Sequence, residues 1–329
     1  MADAQNETAV ERIVATLEPI ADAEKRAALV IVNPYATAVS PRLRSLVVDA
    51  LGTRYAIEAV ETKHRGHAVE LARTAAADGL PLVIAFGGDG TVNEAANGLA
   101  GSNTPLTCLP GGSANVFGKL LGIPSEIVDA TEHVLGLADR FQPRRIDLGE
   151  VEGRLYTFSA GIGMDAQVVR GVDSRPALKA RFGPYFFLAT ALATFTRRYL
   201  VAAPRMFVEV GGQTLSGVTT IVQNAEHYTY FHDHAIDLAD GATLDGGTLS
   251  GVVLRRASVL GAPSLLVRGW ISGARVSAHR QVDGFRGASA LTVSSATGRP
   301  LPLQVDGDYI GEVTEARFTL RPRALAVVA

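Results

Sequence analysis

The stretch LVIAFGGDGTVNEAANGL, residues 82–99, decides the fold. Its first five residues, Leu82 to Phe86, are all apolar, which is typical of a parallel strand that is buried on both faces. Glycines and an aspartate follow, and the run from Thr91 to Leu99 then has the composition of a helix. The order strand, glycine loop, helix is the repeating unit of an open α/β sheet.

The residues before this stretch repeat the same unit. The apolar run from Ala27 to Pro34 predicts a strand, and Ser40 to Leu51 predicts a helix with Pro41 in its first turn. Ala56 to Thr62 alternates as a second strand, and Gly66 to Ala77 is rich in good helix formers. The N-terminal part of the chain is therefore expected to form a parallel sheet with crossover helices.

Beyond Arg144 the sequence changes to short β-branched runs separated by Gly and Asp. This spacing predicts an antiparallel sheet or sandwich, interrupted by one helix from about Pro176 to Tyr199. We therefore predict an α/β fold with a polar tail at 1–26, a parallel-sheet domain at 27–145 and an antiparallel β-sandwich domain at 146–329. The last strand is a candidate to return to the first domain.

The composition excludes several classes of protein. Of 329 residues, 47% are apolar and 19% are charged, which excludes a disordered chain. A net charge of −2 gives no general attraction for nucleic acid, so no nucleic-acid partner is expected. The single cysteine, Cys108, lies in an apolar run, where a buried thiol is expected.

The sequence also predicts where the protein works. The first 25 residues lack the basic and apolar regions of a secretion signal. The longest weakly polar stretch, Pro184 to Phe195, has about 12 residues, whereas a membrane-spanning helix needs about 20. A cytoplasmic protein is therefore expected.

The loop from Gly87 to Thr91 is the first candidate binding site. Glycines let backbone N–H groups approach an anion, at φ angles that other residues reach only with strain. The following helix would direct its positive N-terminus at a phosphate. Asp89 is negatively charged, as a phosphate is, so the two would repel each other. Its presence is explained either by a divalent cation between them or by the need for a base. The alternative is a simple turn in which Asp89 is the helix N-cap.

A second loop of the same kind follows, with the sequence PGGSANVFG at residues 110–118. Because the carboxyl ends of neighbouring parallel strands meet at one edge of a sheet, the two loops would face one crevice. Neither loop is a Walker A sequence, which requires GK[ST], or the dinucleotide fingerprint GxGxxG.

Taken together, these motifs resemble the catalytic domain shared by diacylglycerol, sphingosine and ceramide kinases. GGDGTVNE at 87–94 is followed by PGGSANVFGKLLGIP at 110–124. Further matches occur in the expected order: VNP at 32–34, ET and HA within 61–68, FSAGIGMDA at 158–166, LDGGTL at 244–249 and VDGD at 305–308. The resemblance, which is to the bacterial diacylglycerol kinase family, covers about residues 27–329.

The resemblance implies a nucleotide-binding α/β domain, a β-sandwich that holds lipid, and the cofactors ATP and Mg²⁺. Asp89 would organise Mg²⁺ and the substrate hydroxyl. Asp306, Gly307 and Asp308 match the late DGE motif of the family, in which the acid has the role of proton acceptor or metal partner. The residues that would contact ATP are Asn33, Thr62, Gly87, Gly88, Gly90, Thr91, Glu94, Gly112, Ser113, Asn115, Asp306 and Gly307.

The chain departs from the family pattern at two motifs. The family sequence LDDGLLD often helps to hold a structural magnesium, but Gly246 and Ser250 of this chain cannot supply a carboxylate. Asp245 is then the candidate metal ligand, with Asp240 as a substitute. Asp308 replaces the family's glutamate and reaches about one methylene less far, so it would need a water bridge or a small shift of its loop.

The implied activity is transfer of the γ-phosphoryl group of ATP to a lipid hydroxyl, giving phosphatidic acid or an analogue. Either Asp89 or Asp308 would accept the hydroxyl proton, and the sequence does not choose between them. The lipid would be presented at a membrane surface, with which the cytoplasmic protein would associate transiently.

Some features of the second half leave two interpretations open. The segment from Arg181 to Leu200 has an apolar centre and arginines near both ends, which suits either a membrane interface or a core helix. Trp270 admits the same two interpretations. His232 and His234 form an HDH triplet without the spacing of a zinc site, so a metal is not expected there.

Two rival functions remain at this point. NAD kinase shares a GGDG loop and a related fold, but its paired-asparagine-and-acid motif is not found here. A catalytically weak lipid-binding or nucleotide-binding regulatory protein would explain the altered LDGGTL and DGD motifs. The sequence does not identify the acyl lipid. Family members are often dimeric, which makes a homodimer the assembly to test.

Overall fold

The computed structural model describes residues 2–16, 25–36, 39–175, 186, 189–199, 203–231, 234–258, 261, 264–265, 268 and 276–329. The described chain forms two units. The first contains the residues up to Ile146 together with Arg323–Ala329, and the second contains Asp147–Pro322.

The first unit is built on a parallel sheet with the strand order β2-β1-β3-β4. Its strands are β1 (Arg26–Val32), β2 (Tyr55–Glu61), β3 (Val83–Gly87) and β4 (Leu106–Pro110). Its helices are α1 (Ala2–Thr16), α2 (Pro41–Leu51), α3 (His67–Ala77), α4 (Asp89–Leu99), α5 (Val116–Leu120) and α6 (Ile127–Gly136). Every residue of β3 and β4 is buried, as expected for a parallel sheet with both faces covered.

Residues 323–329 complete this sheet. Val327 pairs in parallel with Leu106 of β4, and the N–H of Val328 donates to the carbonyl of Leu106 at 3.0 Å. Val327 and Val328 are both buried. The first unit is therefore made of two separate parts of the chain.

The helix predicted after β1 forms as expected. Ser40 is the N-cap of α2, its side chain accepts the N–H of Leu43, and Pro41 occupies the first turn. Leu43 and Val47 are buried against the unit.

Helix α1 was not predicted from the sequence. The sequence predicts a polar tail at residues 1–26, but residues 2–16 form a helix that packs against α2 and α6. Val10 is buried, and Glu7 pairs with Arg42 of α2 at 3.1 Å. The polar composition of this segment gave no sign of a helix, because α1 buries little apolar surface of its own.

The second unit is an antiparallel β-sandwich, as predicted. One sheet has the order β14-β13-β10-β7-β16-β17. The strands of the other sheet follow the order β18-β15-β8-β9. The elements introduced here are β5 (Arg144–Val151), β6 (Arg154–Tyr156), β7 (Ser159–Gly163), α7 (Met164–Asp173), β8 (Met206–Val210), β9 (Gln213–Gly217), β10 (Thr219–Gln223), β11 (Thr229–Phe231), β12 (His234–Ile236), β13 (Leu249–Leu254), β14 (Val282–Ala288), β15 (Ala290–Ser295), β16 (Leu301–Val305), β17 (Asp308–Val313) and β18 (Glu315–Val327).

Apolar residues from both sheets form one buried cluster in this unit. Ile162 of β7 and Leu303 of β16 belong to one sheet, and Val208 of β8 and Phe318 of β18 belong to the other. Two sheets that share one apolar core in this way make a sandwich. The predicted fold class, a parallel-sheet domain followed by an antiparallel sandwich, is therefore confirmed.

The predicted helix from Pro176 to Tyr199 is described only in part. Residues 189–194 are α-helical and Phe195–Tyr199 form a π-helical turn. Residues 176–185, Leu200 and Trp270 lie outside the described residues. No helix in the described part of the chain is both long enough and apolar enough to cross a membrane.

We expect Gly98→Ala to lower the free energy of unfolding by about 1–3 kcal/mol, because helices α3 and α4 pack too closely for a side chain there. A Cβ on Gly98 would lie 2.5 Å from the carbonyl oxygen of Val69 and 2.6 Å from the Cβ of Ala72. Urea unfolding measures the effect.

The matched control is Gly136→Ala in α6, where the nearest atom to the new Cβ is a flexible arginine nitrogen at 3.6 Å. Since alanine is the better helix former, this variant should be neutral or slightly stabilising. Equal effects of the two substitutions would contradict the close packing of α3 and α4.

Candidate active site

The two glycine loops of the first unit contact each other through their backbones. The N–H of Gly111 donates to the carbonyl of Gly87 at 3.0 Å. A Cβ on Gly111 would lie 2.9 Å from the Cα of Gly87, and a Cβ on Gly112 would lie 2.8 Å from the Cα of Gly88. Any other residue at these positions would push the loops apart.

From the sequence, the glycines are explained by φ angles that other residues reach only with strain, and the structure corrects this. None of the glycines at positions 87, 88, 90, 111 and 112 has a φ in the left-handed region. Gly88, Gly111 and Gly112 allow the close approach of two backbones, and a Cβ on Gly87 would lie 2.5 Å from the hydroxyl oxygen of Thr91. The left-handed residue of the second loop is Asn115, with φ 46°.

Asn115 closes the second loop on itself. Its Oδ1 accepts the N–H of Gly112 at 2.9 Å, and its Nδ2 donates to the carbonyl of Gly112 at 2.8 Å. Asparagine tolerates the left-handed conformation better than most residues, and here its side chain also supplies both bonds. Asn115 thus shapes the loop immediately before α5.

The loops present backbone donors before helices α4 and α5. The N–H groups of Thr91 and Val92 both donate to the carbonyl of Gly88. Within the described chain, no protein acceptor faces the N–H groups of Gly88, Gly90, Ser113 and Ala114. Free N–H groups at a helix N-terminus suit an anion, and the phosphate contact of these loops stays a prediction.

Asp89 joins the two loops. It lies in the first turn of α4, half-buried, and its Oδ1 accepts the N–H of Phe117 in α5 at 3.1 Å. The N-cap of α4 is Gly88, which has no side chain to offer. The alternative in which Asp89 is the N-cap is therefore wrong, and its carboxylate is held by the N–H of Phe117.

Asn33 and Thr91 support the first loop from behind. The Nδ2 of Asn33 donates to the hydroxyl of Thr91 at 3.1 Å, and its Oδ1 accepts the N–H of Tyr35 at 3.0 Å. Because both ends of the amide bond to protein, Asn33 positions the start of α4. Thr62 follows β2, where its N–H donates to Val32 at 2.8 Å.

Arg44 is a supporting residue that the sequence analysis did not single out. It is buried, and its Nη1 donates to the carbonyls of Asn33 at 3.0 Å and Pro34 at 2.7 Å. The sequence does contain a signal for this buried role. Arg44 is a charged residue on the apolar face of α2, three positions before Val47 and seven before Leu51.

Glu94, predicted to contact the nucleotide, makes a structural contact within the first unit. Its carboxylate accepts the N–H of Gly66 at 2.8 Å and that of Ala68 at 3.2 Å. These are N–H groups at the start of α3, whose N-cap Gly66 has no side chain. Glu94 therefore caps α3 and fixes the loop that follows Thr62.

A small pocket of the first unit lies beneath the loops. Asp89, Cys108, Asn115 and Lys119 are among the residues that line it. Cys108 is buried, as predicted, and burial together with the charge of Asp89 raises the pKa of its thiol to about 12. This thiol stays protonated at neutral pH and is a packing residue.

In the second unit, Asp306 and Gly307 form a two-residue turn between β16 and β17. Val305 pairs with Asp308 across the turn, and both turn residues have positive φ, 47° and 79°. This is the requirement of a type I′ hairpin, which Asp-Gly meets well. The signal was present in the sequence, where VDGD stands between apolar alternating runs.

The Asp306 side chain, predicted to contact ATP, is buried inside the second unit. Its carboxylate accepts the N–H and hydroxyl of Thr157 and the N–H groups of Phe158 and Ser159, at 2.6 to 3.1 Å. Asp306 thus anchors the turn. Asp308, the first residue of β17, is half-buried.

The structure gives no support to a metal ion at Asp245, which is exposed. The nearby carboxylate of Asp147 is buried and accepts the N–H of Gly247 at 2.7 Å. Among the described residues there is no cluster of three His, Cys, Asp or Glu side chains that could hold a metal. Of the HDH triplet, His232 is outside the described residues. His227, which precedes the triplet, pairs through its Nδ1 with Asp237 at 2.5 Å.

Comparison with known proteins gives consistent matches. The diacylglycerol kinase catalytic domain matches residues 27–151. The "Probable lipid kinase YegS-like" of Pseudomonas fluorescens is 30% identical over 307 residues, which cover 92% of this chain and 95% of the relative. The diacylglycerol kinase of Staphylococcus aureus strain RF122 is 26% identical over 93% of both chains.

Two further matches are narrower in what they show. The lipid kinase YegS-like protein of Pseudomonas syringae strain B728a is 34% identical, but the match spans about half of that relative, 54% of its length. The crystal structure of a diacylglycerol kinase from Bacillus anthracis covers 92% of this chain and 96% of its own, with a TM-score of 0.65 and 19% identity. At that identity the likeness shows the fold alone.

We expect the stability of the protein to fall at alkaline pH through Cys108. Its folded-state pKa of about 12 lies above the ordinary 9.0, so the unfolded chain loses the proton first. The free energy of unfolding should drop as pH rises from about 9 towards 12, by about 1 kcal/mol at pH 10.

Urea unfolding at pH 7 and pH 10 measures this drop, with Cys108→Ala as the matched control that lacks the thiol. The drop should be smaller in the control by that amount. The same pH response in both proteins would contradict a buried thiol with a raised pKa.

Proposed function

The chain belongs to the diacylglycerol kinase family of lipid kinases, and we propose that it transfers the γ-phosphoryl group of ATP to the hydroxyl of a diacylglycerol-like lipid. The lipid oxygen forms a bond to phosphorus while the bond between the γ-phosphorus and its bridging oxygen breaks. The hydroxyl proton passes to a carboxylate, and ADP leaves. The product is phosphatidic acid or an analogue.

One observation carries this proposal: the two glycine loops lie against each other and leave backbone N–H groups unbonded at the start of α4 and in the loop before α5. Four such groups, from Gly88, Gly90, Ser113 and Ala114, have no protein acceptor in the described chain. Together with the positive end of the α4 dipole they suit a polyphosphate, which needs many donors and little side-chain charge.

Asp89 fits a role with Mg²⁺. Magnesium usually binds through one or two carboxylates together with substrate phosphates, and Asp89 stands in the chain between Gly88 and Gly90, whose N–H groups have no protein acceptor in the described chain. When bound with ATP, Mg²⁺ would neutralise charge on the phosphoryl oxygens. The carboxylate is held by Phe117 through Oδ1, so its orientation is set before any ligand arrives.

The proton acceptor is either Asp89 or Asp308. A carboxylate that accepts the hydroxyl proton in the transition state contributes about 10²–10⁴-fold to the rate. Asp89 is fixed by its bond to Phe117, and Asp308 follows a turn that is anchored by Asp306. Both acids are half-buried, which suits a group that must exchange a proton with a ligand.

The substrate and setting follow from the same proposal. A lipid alcohol would be taken from a membrane surface, with transient association of the protein from the cytoplasm. A net charge of −2 argues against nucleic acid as a partner. A homodimer is the assembly that we propose to test, by light scattering.

We expect Asp89→Asn to lower kcat by at least about 10²-fold without unfolding the protein. The amide oxygen of the new residue can still accept the N–H of Phe117, so only the charge is lost. The measurement is phosphate transfer from labelled ATP with Mg²⁺ to a panel of lipid alcohols in mixed micelles.

Asp129→Asn is the control, because Asp129 is an exposed acid in the first turn of α6. It should leave activity unchanged. Substantial activity in Asp89→Asn would remove Asp89 from its role. If the wild-type protein binds ATP but labels no lipid, a regulatory protein is favoured, and labelling of NAD would favour an NAD kinase-like enzyme.

A further inference from the structure

A polar cluster in the second unit is not used by the functions assigned so far. Asp165 lies in the first turn of α7, where the hydroxyl of Tyr228 donates to its Oδ1. The Nε2 of Gln304 donates to its Oδ2 at 2.6 Å. A Cβ on Gly161 would lie 2.4 Å from that Oδ2, so the glycine makes room for the carboxylate.

Gln304 connects this cluster to the turn before Asp308. Its side chain is buried in β16, and its Oε1 accepts the N–H of Gly307 at 2.9 Å. Gly307 is the residue immediately before Asp308. A continuous chain of hydrogen bonds therefore runs from Tyr228 through Asp165 and Gln304 to the turn.

The chemistry of the partners fixes the orientation of the Gln304 amide. The backbone N–H of Gly307 can only donate, so it requires the Oε1 of Gln304. The Nε2 must then face Asp165, whose Oδ2 is the acceptor that this donor needs. Asp165 thus holds the amide in the one orientation that also bonds the turn.

The turn is held from two sides. Asp306 bonds the segment from Thr157 to Ser159, and Gln304 bonds Gly307. These bonds fix the conformation of the turn that immediately precedes Asp308. The second of these anchors depends on Asp165.

We propose that Asp165 is a positioning residue that acts through Gln304 to fix Gly307 and, with it, the place of Asp308. This inference rests on the proposed function, in which Asp308 is one of two candidate proton acceptors. A carboxylate that is misplaced by about 1 Å can lose about 10²-fold in rate. Disrupting the cluster should therefore lower kcat more than it changes the affinity for ATP.

Gln304→Glu tests the link directly. The new carboxylate can still accept the N–H of Gly307, but it faces the carboxylate of Asp165 in place of a donor. We expect faster hydrogen exchange at the Gly307 amide and a fall in kcat of about 10-fold to 10²-fold, with KM for ATP unchanged.

Adding Asp165→Asn to this variant should restore the chain of bonds. The Nδ2 of the new asparagine can donate to residue 304, while its Oδ1 still accepts the hydroxyl of Tyr228. We expect exchange at Gly307 to slow again and kcat to recover at least about 10-fold relative to Gln304→Glu alone.

Gln223→Glu is the matched control. Gln223 is a buried glutamine of β10 in the same sheet, and its amide bonds Ala225 and Ala239. It should leave exchange at Gly307 unchanged. If Gln304→Glu does not fold, Gln304→Met removes both bonds without adding charge and should also speed that exchange.

Three results would overturn the proposal: a double variant as impaired as Gln304→Glu, unchanged exchange at Gly307 in Gln304→Glu, or an equal change in Gln223→Glu. The exchange measurement needs no activity. An inactive wild-type protein would therefore contradict the proposed kinase function, while exchange at Gly307 would still decide whether Asp165 and Gln304 hold the turn.

Discussion

The contact between two stretches of backbone without side chains is the constraint around which the candidate site is arranged. Gly87 lies against Gly111, and Gly88 lies against Gly112. Because no side chain stands between the loops, α4 and α5 begin close together, and Asp89 can bond across to Phe117. The same closeness gathers N–H groups from both loops. The anion site that we propose here needs only backbone N–H groups, with no lysine or arginine required in the loops themselves.

Several acids of this chain bond backbone N–H groups in the interior. Glu94 caps α3, Asp306 holds the segment after β6, and Asp147 holds Gly247. Hydrogen bonds from N–H groups to a carboxylate are among the stronger ones in proteins. In each case one side chain fixes a loop that is distant in sequence, which gives short irregular segments a defined shape.

The sequence was sufficient for the architecture and for the loops, because both depend on local patterns. The apolar run of β3, the glycines after it and the helix of α4 are adjacent in the chain, so their order alone predicts a strand, a loop and a helix. The polar partners could not be predicted in this way. Glu94 bonds residues 26 and 28 positions away, and Gln304 bonds an acid 139 positions away.

The completion of the first unit by residues 323–329 has a consequence for synthesis on the ribosome. The partner of Leu106 in β4 is Val327, which is translated only after the whole of the second unit. Domains generally fold as they emerge, N-terminal first. Here the edge of β4 stays open during translation of Asp147–Pro322, whose own residues are contiguous. The first unit is therefore the first to begin folding and the last to be completed. Until residues 323–329 are translated, the nascent chain must keep the apolar edge of β4 from pairing with other chains.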